Sequence, residues 1–166
     1  MADFVHLTNK TEYSLSEGAL PITRIAELCQ LFSMPAVGIS DNNNMFGALE
    51  FSEQIATVGV QPILGCNLKI KTPKEYLHEN IEDTDIYFYL NVFSKSSEGY
   101  ENLLKCVSNA YTLNKGNAYV TVNDLINFKE GLIILSGGNN SILTHSTGQM
   151  ITNQSKQFIS DFKKEF

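Results

Sequence analysis

Hydrophobic positions along the first half of the chain predict strands that alternate with helices. Short apolar runs at Phe4–Leu7, Ala36–Ser40 and Pro62–Lys71 have the length of strands. Between them, apolar residues recur at helical spacing from Ile22 to Phe32 and from about Phe46 to Val58. This half of the chain is therefore predicted to form a β-α-β-α-β unit.

The second half continues the alternation after a polar stretch, Thr72–Asp85. The pattern predicts a strand at Ile86–Phe93, a helix at Glu98–Tyr111, a strand at Gly131–Leu135 and a final amphipathic helix around Ser155–Phe162. Asn123 or Asp124 is expected to cap a further short helix. Apolar strands joined through crossover helices imply an α/β fold with a parallel sheet covered by helices. The pattern alone leaves open whether that sheet is open and doubly wound or closed as a barrel.

Composition indicates one domain over residues 1–166. The chain has 43% hydrophobic residues, enough for a core, and no linker or repeat divides it. No stretch approaches the roughly 18 apolar residues of a spanning helix, and the N-terminus lacks a secretory signal, so we expect a cytoplasmic protein. Cys29, Cys66 and Cys106 form no C-x-x-C pair and are expected to be reduced thiols.

Net charge argues against direct binding of nucleic acid. Twelve basic residues stand against eighteen acidic ones, which gives a formal charge of −6. A chain of this charge repels a phosphate backbone, and its basic residues are scattered along the sequence. We therefore expect little direct nucleic-acid binding by this segment.

The loops that follow the predicted strands are where chemistry is expected, because α/β folds bind ligands beyond the carboxyl ends of their strands. Four loops should share this rim: Thr8–Glu17, Asp41–Met45, Cys66–Asn67 and Gly137–Ser141. The carboxylates and thiol available there are Glu12, Glu17, Asp41 and Cys66. The histidines His6, His78 and His145 are far apart and form no paired metal motif. The residues alone therefore give little support to a metal centre.

The polar run Asp41–Asn44 invites comparison with a calcium-binding loop. The spacing of that motif fails at Met45 and Phe46, which are apolar. Asparagine and aspartate side chains commonly bond to nearby backbone groups in tight turns. We therefore expect a turn stabilised by its own Asx side chains.

Four stretches, in order along the chain, match one known family. They are Phe4–Leu7 with Tyr13–Leu15 and Glu17–Ala19; Met34–Asp41 with Asn44–Ala48; Gly59–Cys66; and Gly99–Leu104 with Gly131–Gly137. In this succession the sequence resembles the PHP domain that begins bacterial DNA polymerase III alpha subunits, and the resemblance covers almost the whole chain.

The resemblance implies a PHP-type (β/α)7 barrel, with parallel strands and outer helices, that is incomplete on its C-terminal side. Active members of the family hold divalent metals such as zinc or manganese at the strand ends. The matching ligand positions are occupied here by Thr8, Lys10, Glu17, Asp41, Asn42, Asn67, Tyr89 and Gly138. Of these, Glu17 and Asp41 keep a carboxylate, whereas imidazole, thiolate and further acidic ligands are replaced. We therefore expect a vestigial site, with no metal, no other cofactor and no catalytic residue.

Three hypotheses about function remain open at this point. The resemblance favours a structural and interaction module that supports the rest of the polymerase alpha subunit and its proofreading exonuclease subunit, while polymerisation itself, a nucleotidyltransferase activity, would lie outside these residues. The alternative is a metal-dependent phosphoesterase or 3′-5′ exonuclease that uses Glu17, Asp41 and Cys66. A third is an unrelated α/β domain that binds a small molecule.

An incomplete barrel would expose strand edges and apolar surface, so poor solubility or self-association is expected.

Overall fold

A mixed sheet forms the centre of the molecule. The computed structural model describes residues 4–76, 86–114, 116–136, 138 and 153–166. Within these residues the sheet has the order β1-β2-β3-β4, with β1 at Ala36–Asn42, β2 at Gln61–Lys71, β3 at Tyr87–Ser94 and β4 at Leu132–Leu135. The helices are α1 (Ile22–Leu31), α2 (Ala48–Thr57), α3 (Ser97–Leu113), α4 (Val122–Asn127) and α5 (Asn153–Glu165), and Lys74–Tyr76 forms a short 3-10 turn.

The prediction of a fully parallel sheet is wrong for β3. Strand β2 is parallel to β1, but β3 is antiparallel to both β2 and β4. The polar stretch between β2 and β3 has no helical pattern, and neighbouring strands joined without a crossover helix pair antiparallel. After β3, the chain passes through α3 and α4 before β4, which restores the direction of β1 and β2. The sequence-based prediction extended the parallel arrangement across Thr72–Asp85, although that stretch has no helical pattern, and so missed this reversal.

The helices pack on one face of the sheet, where the apolar core lies. Side chains of β1 join α1 and α2 in one cluster, and those of β2 and β3 join α3 in another. The first cluster contains Ile22, Ile25, Val37, Ile39, Phe51 and Ile55; the second contains Leu68, Ile70, Phe88, Leu90, Leu103 and Val107. Period-two alternation along the strands places these side chains together on the helical face.

The opposite face of the sheet is polar toward the rim, although Ile63 and Phe93 lie on the same face further back. Asn42, Asn67 and Asn91 are paired across β1, β2 and β3. Lys69, two residues after Asn67 on β2, is paired with Tyr89 of β3. The three asparagines, Lys69 and Tyr89 are partly buried. The polar rim end of this face explains why a polar cluster can form there.

The N-terminal stretch lies along the free side of β1. The predicted strand at Phe4–Leu7 is not formed, although the backbone oxygens of His6 and Asn9 accept hydrogen bonds of 2.8 Å from the amides of Gly38 and Ser40. Two bonds and one isolated bridge, Asn9 to Ile39, are too few to define a strand. The described strands form an open four-stranded sheet, and the full (β/α)7 barrel is not observed among them.

The cap of α4 and the state of the cysteines were also predicted from the sequence. Helix α4 is capped by Thr121 rather than by Asn123 or Asp124, and Asp124 accepts the reciprocal bond of a capping box. Cys29, Cys66 and Cys106 are buried free thiols, as expected.

Across the part of the chain that the structure describes, no helix has the length and apolar character needed to cross a membrane.

Helix α3 depends on a glycine in its first turn. A Cβ atom at Gly99 would lie 1.9 Å from the backbone oxygen of Gly131, and Gly131 itself has φ +73°. The Gly131 oxygen also accepts the amide of Lys95 at 2.9 Å, so it is not free to move.

We predict that Gly99→Ala lowers the free energy of unfolding by about 1–3 kcal/mol because of this overlap. Helix propensity alone would give the opposite sign, a gain of about 1 kcal/mol. Urea denaturation measures the change, and Ser108→Ala, at an exposed position of α3, is the control. A Gly99→Ala protein as stable as the parent would contradict the packing described here.

Candidate functional site

Asp41, at the end of β1, anchors the first loop of the rim. Its carboxylate is 1% exposed. It accepts the Thr11 amide at 2.7 Å, the Thr11 hydroxyl at 2.7 Å and the Ser14 hydroxyl at 2.5 Å. Ser14 Oγ in turn accepts the amide of Asn42 at 3.0 Å. Both oxygens of Asp41 are therefore engaged in positioning the loop, as a buried carboxylate requires.

The loop closes on itself through Gly18. The backbone oxygen of Ser14 accepts the amides of Glu17 and Gly18, at 3.0 and 2.8 Å. A Cβ atom at Gly18 would lie 1.7 Å from the backbone oxygen of Thr11, so this approach requires glycine. The closure brings the two ends of the loop, Lys10 and Glu17, together.

Lys10 and Glu17 form an ion pair at the mouth of the site. The Lys10 ammonium donates to the Glu17 carboxylate, and their side chains are 27% and 57% exposed. The hydrogen bond from Lys10, followed by one from Asn42, lowers the pKa of Glu17 below its ordinary value. Glu17, the exposed carboxylate retained at a ligand position, is thus neutralised by an ammonium of the same chain.

Asn42 and Asn67 connect this ion pair to the sheet. The Asn67 amide nitrogen donates to Asn42 Oδ1 at 2.9 Å, and the two residues are paired in register on β1 and β2. The cluster therefore runs from Lys10 through Glu17 and Asn42 to Asn67. Its members are an ammonium, one carboxylate and two neutral amides.

The turn after β1 uses Asx side chains, as the sequence predicts. Asn43, with φ +53°, donates to the Ala118 oxygen at 2.8 Å and accepts the Lys69 amide at 3.1 Å. Asn44 donates to the oxygens of Tyr13 and Asn42 and accepts the amide of Phe46. These side chains satisfy backbone groups and are not arranged as ligands.

The remaining positions implied by the resemblance lie near the same end of the sheet. Tyr89 is on β3, level with Lys69, and burial followed by the negative charge of Glu17 raises its pKa. Gly138 is exposed with φ +113° and follows β4. Thr8 is exposed in the stretch beside β1. The structure thus brings Lys10, Glu17, Asn42 and Asn67 into one cluster, with Tyr89 within electrostatic reach.

Other rim groups considered from the sequence point elsewhere. Cys66 is fully buried on the helical face, where its thiol donates to the Asp41 backbone oxygen at 3.4 Å and burial raises its pKa. Glu12 accepts the amide of Ile22 at 3.4 Å, at the start of α1. His6 stacks edge-on against Phe4. His78, His145 and nearly all of Gly137–Ser141 lie outside the described residues.

The donor set does not suit the divalent metals of active PHP relatives. Within the described ranges, His, Cys, Asp and Glu side chains form no group of three or more that could hold a metal ion. Such ions need anionic oxygen, imidazole or thiolate donors, and the cluster offers one ion-paired carboxylate and two amides bonded to each other. The ammonium of Lys10 would also repel a cation.

Sequence reasoning missed the groups that hold the loop in place. It did not identify Thr11 as a partner of Asp41, or Glu50 as the acceptor of the Tyr13 hydroxyl at 3.0 Å. Both contacts join residues about thirty or more positions apart. No periodic signal in a single sequence marks such pairs.

The family model and the sequence relatives agree on one family. The sequence model of the PHP domain matches residues 6–166. The chain is 37% identical over 135 residues to the DNA polymerase III subunit alpha of Rickettsia felis, covering 80% of this chain and 10% of the relative. The corresponding protein of Helicobacter pylori is 38% identical over 112 residues, covering 65% of this chain and 9% of the relative. The chain therefore spans about a tenth of the length of these relatives.

A solved structure supports the fold. An amidohydrolase from Chromobacterium violaceum, determined with bound sulfate and no metal, superposes with a TM-score of 0.58. The match covers 97% of this chain and 74% of that protein, at 10% sequence identity. At this identity the likeness concerns the fold alone.

We predict that Asp41→Asn destabilises the protein by about 1.5–3 kcal/mol, because an amide nitrogen would face donors that now bond to a charged carboxylate. Chemical denaturation measures the loss. Glu101→Gln, at an exposed position of α3, is the matched control and should change stability little. Equal stability of Asp41→Asn and the parent would show that the carboxylate does not anchor the loop.

The ion pair leads to a prediction about pH. Because the folded-state pKa of Glu17 is lowered from 4.5, its stabilising contribution is present above that pH and is lost as pH falls through the folded value. Nuclear magnetic resonance titration should give Glu17 a pKa below 4.5, and Lys10→Met should move it back toward 4.5. Lys95→Met, at an exposed position away from the loop, should leave the titration unchanged. A Glu17 pKa unaffected by Lys10→Met would contradict the pairing.

Proposed function

The chain belongs to the PHP domain family, and from this membership we propose that it is a structural and interaction domain of a bacterial DNA polymerase III alpha subunit, without metal-dependent hydrolysis of its own. The observation that carries the proposal is the cluster in which Lys10 neutralises Glu17 and Asn42 bonds to Asn67. The replicative context rests on the relatives, which are polymerase III alpha subunits.

The chemistry of the cluster supports the absence of hydrolysis. A bound metal lowers the pKa of its water only when anionic or imidazole ligands hold the ion in place. Here the ammonium of Lys10 occupies the mouth of the site, and an added divalent ion would meet like charge at short range. A metal-dependent phosphoesterase or exonuclease would need Asp41 and Cys66 as ligands, yet these side chains are engaged in the loop anchor and buried in the core.

The size of the relatives supports the interaction role. The chain matches about a tenth of a polymerase alpha subunit, which favours contacts with the remainder of that subunit. The proposal adds the proofreading exonuclease subunit as a second partner and places the complex in the cytoplasm. Large apolar side chains exposed on the described surface support such contacts, among them Leu15, Phe46 and Leu49.

We predict that the purified protein, dialysed against buffer without metal, retains zinc and manganese far below one equivalent per chain and does not hydrolyse bis-p-nitrophenyl phosphate above background. Plasma mass spectrometry measures the metal. The positive control is a ligand-restored variant, Thr8→His/Lys10→His/Asn42→His/Asn67→Glu, which should retain more metal than the parent. Lys10→Met, which removes the ammonium without adding a ligand, should not.

Stoichiometric zinc or manganese in the parent protein, with metal-dependent hydrolysis, would overturn the proposal and support the phosphoesterase or exonuclease alternative. Failure of the ligand-restored variant to gain metal, with its fold intact by circular dichroism, would show that the four positions are not the site of ligand loss.

A further inference from the structure

Three large apolar side chains are exposed beside the rim, in the first loop and at the start of helix α2. Leu15, Phe46 and Leu49 are 86%, 71% and 68% exposed. Single exposed apolar residues are ordinary, whereas large ones grouped on adjoining elements mark contact sites. We call Leu15, Phe46 and Leu49, together with Tyr13, the apolar patch.

Tyr13 holds the two elements of the patch together. Its hydroxyl donates to Glu50 of α2 at 3.0 Å, and its backbone oxygen accepts from Asn44 at 3.1 Å. A Cβ atom at Gly47 would come within 2.8 Å of the Tyr13 ring, so the ring lies against the start of α2. The loop itself is fixed by Asp41, so the patch is presented on a rigid base.

Leu49 and Glu53 form a short stripe on α2. Leu49 lies in the first turn of the helix, Glu53 follows it by four positions, and Phe46 lies in the turn just before the helix. Residues at this spacing lie on the same side of a helix. The stripe faces away from the core, where Phe51 and Ile55 are fully buried.

Three carboxylates belong to the same elements as the apolar patch. Glu50 accepts the Tyr13 hydroxyl at 3.0 Å, and this hydrogen bond, followed by the charge of Glu50, raises the pKa of Tyr13. Glu12 precedes Tyr13 in the loop and is exposed. Glu53 is exposed on the stripe. Among the described residues, Glu12, Glu50 and Glu53 have no ion-pair partner, because the pairs formed there use Glu17, Glu27, Asp161 and Glu165. The edge of the patch is thus negatively charged, in a chain whose net charge is already −6.

From this arrangement we infer that the apolar patch is a docking surface for a partner protein segment that presents apolar side chains flanked by lysine or arginine. The apolar centre would exclude water and the carboxylate edge would pair with the partner's cations, which is the usual division between the core and rim of an interface. An amphipathic helix laid along the stripe satisfies both requirements. The inference rests on the proposed interaction role and identifies a surface for it.

The test uses the full 166-residue chain and three synthetic helical peptides. The first has leucine at helical spacing and lysine elsewhere; the second replaces the lysines with glutamate, and the third replaces the leucines with alanine. Isothermal titration calorimetry should show binding of the first peptide only. Binding of the glutamate peptide with equal affinity would overturn the inference.

Variants of the protein locate the binding. Leu49→Ser should weaken binding of the lysine peptide by about fivefold or more, in line with truncation of an interface anchor. The control is Leu31→Ser, which removes a leucine of similar exposure (70%) from α1 and should leave affinity within twofold. Glu53→Lys should weaken binding and reduce its salt dependence, whereas Glu101→Lys on α3 should not. Because all four positions are exposed, the variants should remain folded, as thermal melting will confirm.

Two results would assign the patch differently. Equal losses in Leu31→Ser and Leu49→Ser would show that the peptide binds exposed apolar side chains non-specifically. Concentration-dependent self-association in sedimentation, abolished by Leu49→Ser, would show that a second copy of the chain covers the patch. Either result would overturn the inference while leaving the proposed lack of metal-dependent hydrolysis intact, since that is measured separately by metal content.

Discussion

The arrangement of the rim depends on one buried carboxylate. Asp41 is almost fully removed from water, and a charge in that position is tolerated only when its oxygens are satisfied by donors. Thr11 and Ser14 supply those donors, so the loop must fold back onto the end of β1. The closure at Gly18 then fixes where Lys10 and Glu17 emerge.

Two surfaces with different properties follow from this single anchor. On one side of the loop, Lys10 and Glu17 meet above Asn42 and Asn67, and charge is cancelled within the chain. On the other side, Tyr13 reaches α2, and Leu15 and Phe46 are exposed. The charged groups and amides of the polar cluster bond to one another, whereas the apolar side chains are exposed to solvent. This contrast supports the proposed role in contacts over the alternative of hydrolysis.

The reversal of β3 shows how a change in strand direction can preserve the position of a site. Although β3 runs opposite to β2, its first residues lie at the same end of the sheet as the last residues of β2, as the pairing of Tyr87 with Lys71 shows. Tyr89 therefore lies near the rim at the start of its strand, where a parallel strand would have placed its final residues. The reversal thus changes the direction of the strand while leaving Tyr89 at this end of the sheet.

The amino-acid sequence by itself determined the element order, the extent of most helices and strands, the Asx turn at Asn43 and Asn44, and the family. These features depend on local periodicity or on motifs, which a single chain displays directly. Only the tertiary structure decided the direction of β3, the partners of Asp41 and the pairing of Lys10 with Glu17. Each of these depends on backbone paths that bring distant residues together, and hydrophobic pattern does not encode them. The carboxylates Asp41 and Glu17 look alike in the sequence, yet burial and hydrogen bonding make one a structural anchor and the other an exposed member of an ion pair.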